Sequence, residues 1–262
     1  MPNSAPFGLL LALLAGLSTG IGSAIAYFIS KPKPRQMSLI LGFSAGVMLY
    51  ISFAELLYQA IDKVGFVNAN LAFFIGVAFI AVLDILIPHE YKQEHVAYSR
   101  STSSITGPAP HSRLMRTGVL IALGIAIHNL PEGLAVFSSA ATGDRAFGLL
   151  VAVAIGLHNI PEGISVSIPI LEATGSRRRA FLYSFSAGLA EPVGALIGFA
   201  ILVPFMTPTL VYALLAFAAG IMVYISLDEV LPTAHLFGEE HLVILGVVAG
   251  MLAMAISILL LR

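Results

Sequence analysis

Long apolar stretches alternate with short polar ones along the chain. No Asp, Glu, Lys or Arg occurs in residues 7–30, 36–54, 64–83, 192–227 or 242–261. A helix crossing the hydrocarbon core of a bilayer needs about 20 mainly apolar residues, so each of the four shorter runs makes one span. The run 192–227 exceeds one span, and Pro204, Thr207 and Pro208 mark a turn inside it. With the apolar stretches around 117–141, 146–170 and 178–200, the pattern predicts eight helices. They lie near 7–29, 37–61, 68–88, 117–141, 146–171, 178–202, 208–231 and 241–261. The segment at about 89–116 is rich in Ser, Pro and His and reads as the longest loop. Residues 7–29 follow no basic n-region and are too long for a signal-peptide core, so they read as a retained helix. The whole of 1–262 is expected to form a single all-α integral membrane domain.

Composition agrees and narrows the choice. Charged residues are 10% of the chain and hydrophobic ones 58%, against about 25% charged in a soluble domain. A soluble fold of this size has too few charges to cover its surface, which excludes a soluble enzyme and a disordered tail. The net charge of −1 offers no basic footprint, so no nucleic acid is expected as a partner. The absence of cysteine excludes thiolate metal sites and disulfides. Of the 13 Lys and Arg, ten fall after the first, third and fifth helices: Lys31, Lys33, Arg35, Lys92, Arg100, Arg113, Arg116, Arg177, Arg178 and Arg179. Only Lys63, Arg145 and Arg262 fall on the other side. The positive-inside rule puts the ten in the cytoplasm and both termini outside. The 89–116 loop is then cytoplasmic, and His89, His95 and His111 suit either transient metal capture or plain solvation.

Two internal similarities suggest a repeat. Residues 44–57, SAGVMLYISFAELL, match 218–231, AAGIMVYISLDEVL, at eight of fourteen positions. Ala15-Gly16-Leu17, followed by Gly22 and Ile25, resembles Ala187-Gly188-Leu189, followed by Gly194 and Ile197. Helices 1 and 6 enter the membrane from opposite sides, as do 2 and 7. The chain therefore reads as inverted copies of three helices flanking a central pair, a 3+2+3 arrangement. Inverted repeats are an architecture of secondary transporters, whose sites sit mid-membrane on interrupted helices.

The central pair carries the chemistry. Helix 4 contains His128-Asn129-Leu130-Pro131-Glu132-Gly133 and helix 5 contains His158-Asn159-Ile160-Pro161-Glu162-Gly163. At 3.6 residues per turn, Glu132 lies about 40° round from His128 and Asn129 about 100°. The carboxylate thus sits between imidazole and amide on one face, and Glu162 does the same with His158 and Asn159. Two such helices facing each other give paired imidazoles, paired amides and two carboxylates able to bridge, which is the donor set of a binuclear divalent-metal site. Pro131 and Pro161 leave the carbonyls of Ile127 and Leu157 without their helical donors, and free carbonyls are tolerated at membrane depth only beside a polar cavity. Helix 6 adds Glu191, followed by Pro192. Three glutamates there cost roughly 8–10 kcal/mol on insertion scales. Protonated glutamates hydrogen-bonded between helices, or a proton relay, would use the acids but leave the duplicated spacing unexplained. Imidazole with carboxylate suits zinc, iron, manganese, cobalt and nickel. With neutral histidines the three acids give −3, so one dication leaves −1 and two leave +1. A site near neutrality can release its ion. A metal-dependent hydrolase needs a metal-bound water and a general base, which His-x-x-x-Glu can supply; it has no need of two hexapeptides.

The paired HNxPEG motifs, Ala190-Glu191-Pro192 and the eight spans resemble the ZIP (Zrt/Irt-like) metal transporter family across essentially the whole chain. Met48 to Glu55, Thr174-Gly175-Ser176-Arg177 and Ile221 to Glu229 are similar to its bacterial ZupT-type branch. The resemblance implies a ZIP-like fold and import of zinc, with iron, manganese, cobalt or cadmium as further ions, into the cytoplasm. It implies no enzyme activity, no cofactor and no ATP hydrolysis. It places a first metal position at His128, Glu132, His158 and Glu162, and a second at Asn129, Glu132, Asn159, Glu162 and Glu191. It further implies a bundle of helices 1, 4, 5 and 6 moving against 2, 3, 7 and 8, lipid around both, and a homodimer. Glu55, Asp84, Asp228 and Glu229 fit either interfacial placement or a part in the metal path.

Overall fold

The computed structural model describes residues 5–28, 33–86, 111–205, 207–238 and 240–261, without the side chains at 111–121, 169, 172, 173 and 201–203. Among them no strand occurs. Eight helices follow in order: α1 (Ala5–Phe28), α2 (Pro34–Val64), α3 (Phe66–Leu86), α4 (His111–Ala141), α5 (Arg145–Thr174), α6 (Arg177–Ala200), α7 (Pro208–Leu236) and α8 (Glu240–Leu261). Seven are long and apolar enough to cross a membrane on their described residues. The eighth, α4, carries the same His-Asn-x-Pro-Glu set as α5 and lies between the spans of α3 and α5. The protein is a multi-pass membrane protein.

The turns have local causes. Gly143 and Gly175 take positive φ, 88° and 62°, where an L side chain would be strained. The next residue in each case caps the following helix. Asp144 accepts the Phe147 amide at 3.0 Å and Ser176 accepts that of Arg179 at 3.3 Å. Thr207 caps α7 through the Leu210 amide at 3.2 Å, with Pro208 in the first turn.

Three elements differ from the sequence reading. The expected loop 89–116 is shorter, because α4 begins at His111 and takes residues 111–116 into the helix; 89–110, with His89 and His95, lie outside the described residues. Lys31, Lys92, Arg100 and Arg262 of the charge count lie outside them too. Helix α7 continues five residues past the expected end at 231. A π-helical stretch, Ser226–Val230, precedes Pro232, which then falls in a first helical turn where its missing N–H is not needed. Helix α6 is two pieces, Arg177–Gly188 and Ala190–Ile197, breaking where Pro192 cannot donate to the Gly188 carbonyl. By contrast α4 and α5 stay helical through Pro131 and Pro161.

The helices form two groups. Helices α1, α4, α5 and α6 pack on one another, while α2 lies along α8 and α3 along α7. The groups meet where α2 crosses α5 and α7 crosses α4. Close approach is set by glycine. A Cβ on Gly22 of α1 would fall on the Ile160 carbonyl of α5, and one on Gly194 of α6 on the Leu130 carbonyl of α4. In the other group a Cβ on Gly46 of α2 would meet the Val247 carbonyl of α8, and one on Gly220 of α7 the Phe73 carbonyl of α3. These pairs exchange under the relation 1↔6, 2↔7, 3↔8 and 4↔5, so the inverted repeat is present in the packing. Helices α3 and α8 bury the least and turn apolar faces outward: Phe74, Ile75 and Ile85, then Leu245, Leu252 and Leu259.

Candidate metal centre

The hexapeptides of α4 and α5 meet inside the first group. All seven sequence-singled residues are buried: His128, Asn129, Glu132, His158, Asn159, Glu162 and Glu191. Glu132, His158 and Glu162 each offer a ligand atom within 4.8 Å of the other two. The Nε2 of His158 lies 3.0 Å from Oε1 of Glu132, a contact between helices rather than along one.

The other ring nitrogen fixes what that contact means. His158 Nδ1–H donates to the Ala154 carbonyl at 3.2 Å. Nε2 then presents a lone pair to a carboxylate oxygen, and two acceptors at 3.0 Å need a proton or a cation between them. A histidine whose far nitrogen is tied to a backbone carbonyl is the usual arrangement of a metal ligand.

His128 takes a different position. Its Nε2 faces Oε2 of Glu229 on α7 at 3.2 Å, in a cleft lined also by Asp84, Tyr224 and Asp228. The two asparagines are held alike: Asn129 donates to the Ala187 carbonyl of α6 at 3.1 Å, Asn159 to the Ala15 carbonyl of α1 at 3.0 Å. Ala15 and Ala187 are the residues matched in the sequence repeat, so both amides are gripped by equivalent carbonyls. Asn159 also donates to Oε2 of Glu191 at 2.6 Å. On the same match Thr19 stands where Glu191 stands, and its hydroxyl is buried without a partner.

Five buried oxygens of this set have no hydrogen-bond partner: Asn129 Oδ1, Glu132 Oε2, Asn159 Oδ1, Glu162 Oε2 and Glu191 Oε1. An orphaned buried acceptor is costly, by about 1–3 kcal/mol and more where charged. Amide and carboxylate oxygens facing one another without donors repel, and a cation removes that repulsion. Neither the His128–Glu229 contact nor Thr19 was readable from spacing; the repeat alignment was a signal for Thr19 alone. Ser44 of α2 was missed as well, and its hydroxyl lies 3.4 Å from the His158 carbonyl.

Comparison with known proteins agrees with this chemistry. The family model described as ZIP zinc transporter matches residues 87–258. The chain is 51% identical to the zinc transporter ZupT of Nitratidesulfovibrio vulgaris, over 95% of both chains. It is 53% identical to that of Chlorobium phaeovibrioides over 97% of both, and 46% identical to that of Clostridium perfringens over 98% of this chain and 97% of the relative. The chain belongs to the ZIP zinc transporter family.

Proposed function

We propose that the protein imports divalent metal ions, zinc foremost, through the buried site between α4, α5 and α6, without hydrolysing ATP. The observation that carries this is the set of five donor-less buried oxygens around His158. Its transported ion supplies the positive charge that these groups lack. The named function of the relatives, zinc transport, supports the same reading. Family membership makes the protein a transporter rather than an enzyme.

In this reading Glu132 and Glu162 bridge two ion positions. The first draws on His128, Glu132, His158 and Glu162, with His128 leaving Glu229 to join. The second draws on Asn129, Glu132, Asn159, Glu162 and Glu191. Iron, manganese, cobalt and cadmium suit the same oxygen and imidazole donors. All eight helices act as one domain in a bacterial inner membrane, the side rich in Lys and Arg facing the cytoplasm. The group α1, α4, α5 and α6 moves against the rest, exposing the site to each side in turn.

The test is radioactive zinc uptake in cells lacking other importers. Glu132→Ala or His158→Ala, made in normal amount, is expected to abolish the uptake that the unaltered chain confers. Wild-type rates in either variant would refute the assignment.

A further inference from the structure

The same three residues lead into a π-helical turn in both halves of the molecule. Tyr50-Ile51-Ser52 leads into Ser52–Leu57 of α2, and Tyr224-Ile225-Ser226 into Ser226–Val230 of α7. Each turn opens on its serine. Ser52 donates to the Met48 carbonyl and Ser226 to the Met222 carbonyl, both at 2.7 Å and both fully buried. Each turn carries a carboxylate three residues on. Glu55 accepts from Gln59 at 3.1 Å and, with Asp144, lines a cavity of about 100 Å³. Glu229 meets His128 at 3.2 Å in the cleft at the opposite end.

A π turn holds more residues than an α turn, and isolated ones are concentrated at functional sites. A serine hydroxyl on the carbonyl one turn back competes with the backbone N–H for that carbonyl, which loosens the α register. The bond alone is insufficient: Ser257 makes it to Ala253 inside unbroken α8. What singles out Ser52 and Ser226 is that the π turns of α2 and α7 begin on them and each carries an acid, whereas the π turn Gly198–Leu202 of α6 has neither serine nor acid.

We propose that Ser52 and Ser226 are positioning residues for metal passage, their hydroxyls holding the π turns that direct Glu55 and Glu229. The inference rests on the transport reading above. Ser226 acts on the inner half of the path and Ser52 on the outer half, so their loss falls on different steps.

Threonine keeps the hydroxyl and valine has threonine's shape without it. Ser226→Thr is expected to transport zinc as the unaltered chain does, while Ser226→Val lowers Vmax about five-fold, the worth of one hydrogen bond, with KM unchanged. Ser52→Val is expected to raise KM by a similar factor with Vmax kept. Ser226→Ala, which fits without added bulk, must behave as Ser226→Val. Equal transport by the Val and Thr variants, the same change in KM and Vmax at both serines, or unaltered transport by Ser226→Ala overturns the proposal.

A second readout needs no transport. The chain has no cysteine, so Glu229→Cys gives a single thiol whose maleimide labelling rate reports its orientation. Adding Ser226→Val or Ser226→Ala is expected to change that rate about five-fold, and adding Ser226→Thr to leave it. An unchanged rate overturns the proposal. A changed rate in a protein whose zinc uptake ignores Glu132→Ala supports the turn's role and refutes the transport reading instead.

Discussion

At the scale of single residues the centre is a collection of buried acceptors, five of them without a hydrogen-bond donor. Protons compete with metal for imidazole, because ligands must be deprotonated. Ordinary imidazoles titrate near about 6.5, so zinc affinity measured by equilibrium binding should fall steadily between about pH 7.5 and about pH 5. Unchanged affinity over that range would remove histidine from the ligand set. Asn159 offers a sharper probe. It donates to Ala15 and to Glu191, and aspartate can do neither when ionised. Asn159→Asp should lower the thermal stability of the metal-free protein, by about 1–3 kcal/mol or more, because it leaves the Ala15 carbonyl and Glu191 as buried acceptors without their donor. Zinc should restore more stability to it than to the unaltered chain. The seven candidate residues were readable because they are duplicated at one spacing or, for Glu191, sit beside a proline mid-span. The partner of His128 was not, since Glu229 is a hundred residues away and only folding brings them together.

At the scale of helices, charge-free runs located the spans, since placing a charge in lipid is costly. Their internal geometry was hidden. A single extra residue in a wide turn leaves the 3.6-residue periodicity nearly intact, so nothing but the repeated Tyr-Ile-Ser pointed to the π turns. The end of α7 was misplaced for the same reason: Pro232 reads as a stop unless the preceding turn is known to be wide. Glycine contacts make a further prediction. Gly22→Ala and Gly194→Ala should each cost about 1–3 kcal/mol or more, as overpacking does, because the added methyl meets backbone that cannot yield. Gly124→Ala, where nothing lies within 4 Å, should leave stability unchanged or slightly raised. Thermal unfolding in detergent compares the three, and equal stability throughout would mean that these helices approach less closely.

At the scale of the molecule the two helix groups are each tied internally by glycine contacts. His128 to Glu229 and the Ser44 hydroxyl to the His158 carbonyl are contacts that cross between them. A reversible thiol cross-linker distinguishes motion between the groups from motion within them. Joining Gln59→Cys on α2 to Ala146→Cys on α5, which line one cavity, should arrest zinc uptake until the link is reduced. Joining Ser38→Cys to Ala234→Cys, both in the second group and linked by a 3.1 Å hydrogen bond, should leave it. Arrest by both links, or by neither, would count against a moving bundle. The 3+2+3 plan was legible from sequence because its halves retain similar residues at matched places; the division into two packed groups came only through the family resemblance, since lipid-facing and protein-facing apolar residues look alike.

One departure from the two-fold plan has a thermodynamic consequence. Glu191 has Thr19 for its counterpart, so an ion held in the proposed site would lean off the pseudo-axis toward α6 and would meet unequal barriers on its two ways out. Unequal barriers change how quickly each departure occurs, yet microscopic reversibility forbids them from choosing a destination. With no coupled energy source, net flow through such a lopsided seat would run only down the ion's own electrochemical gradient.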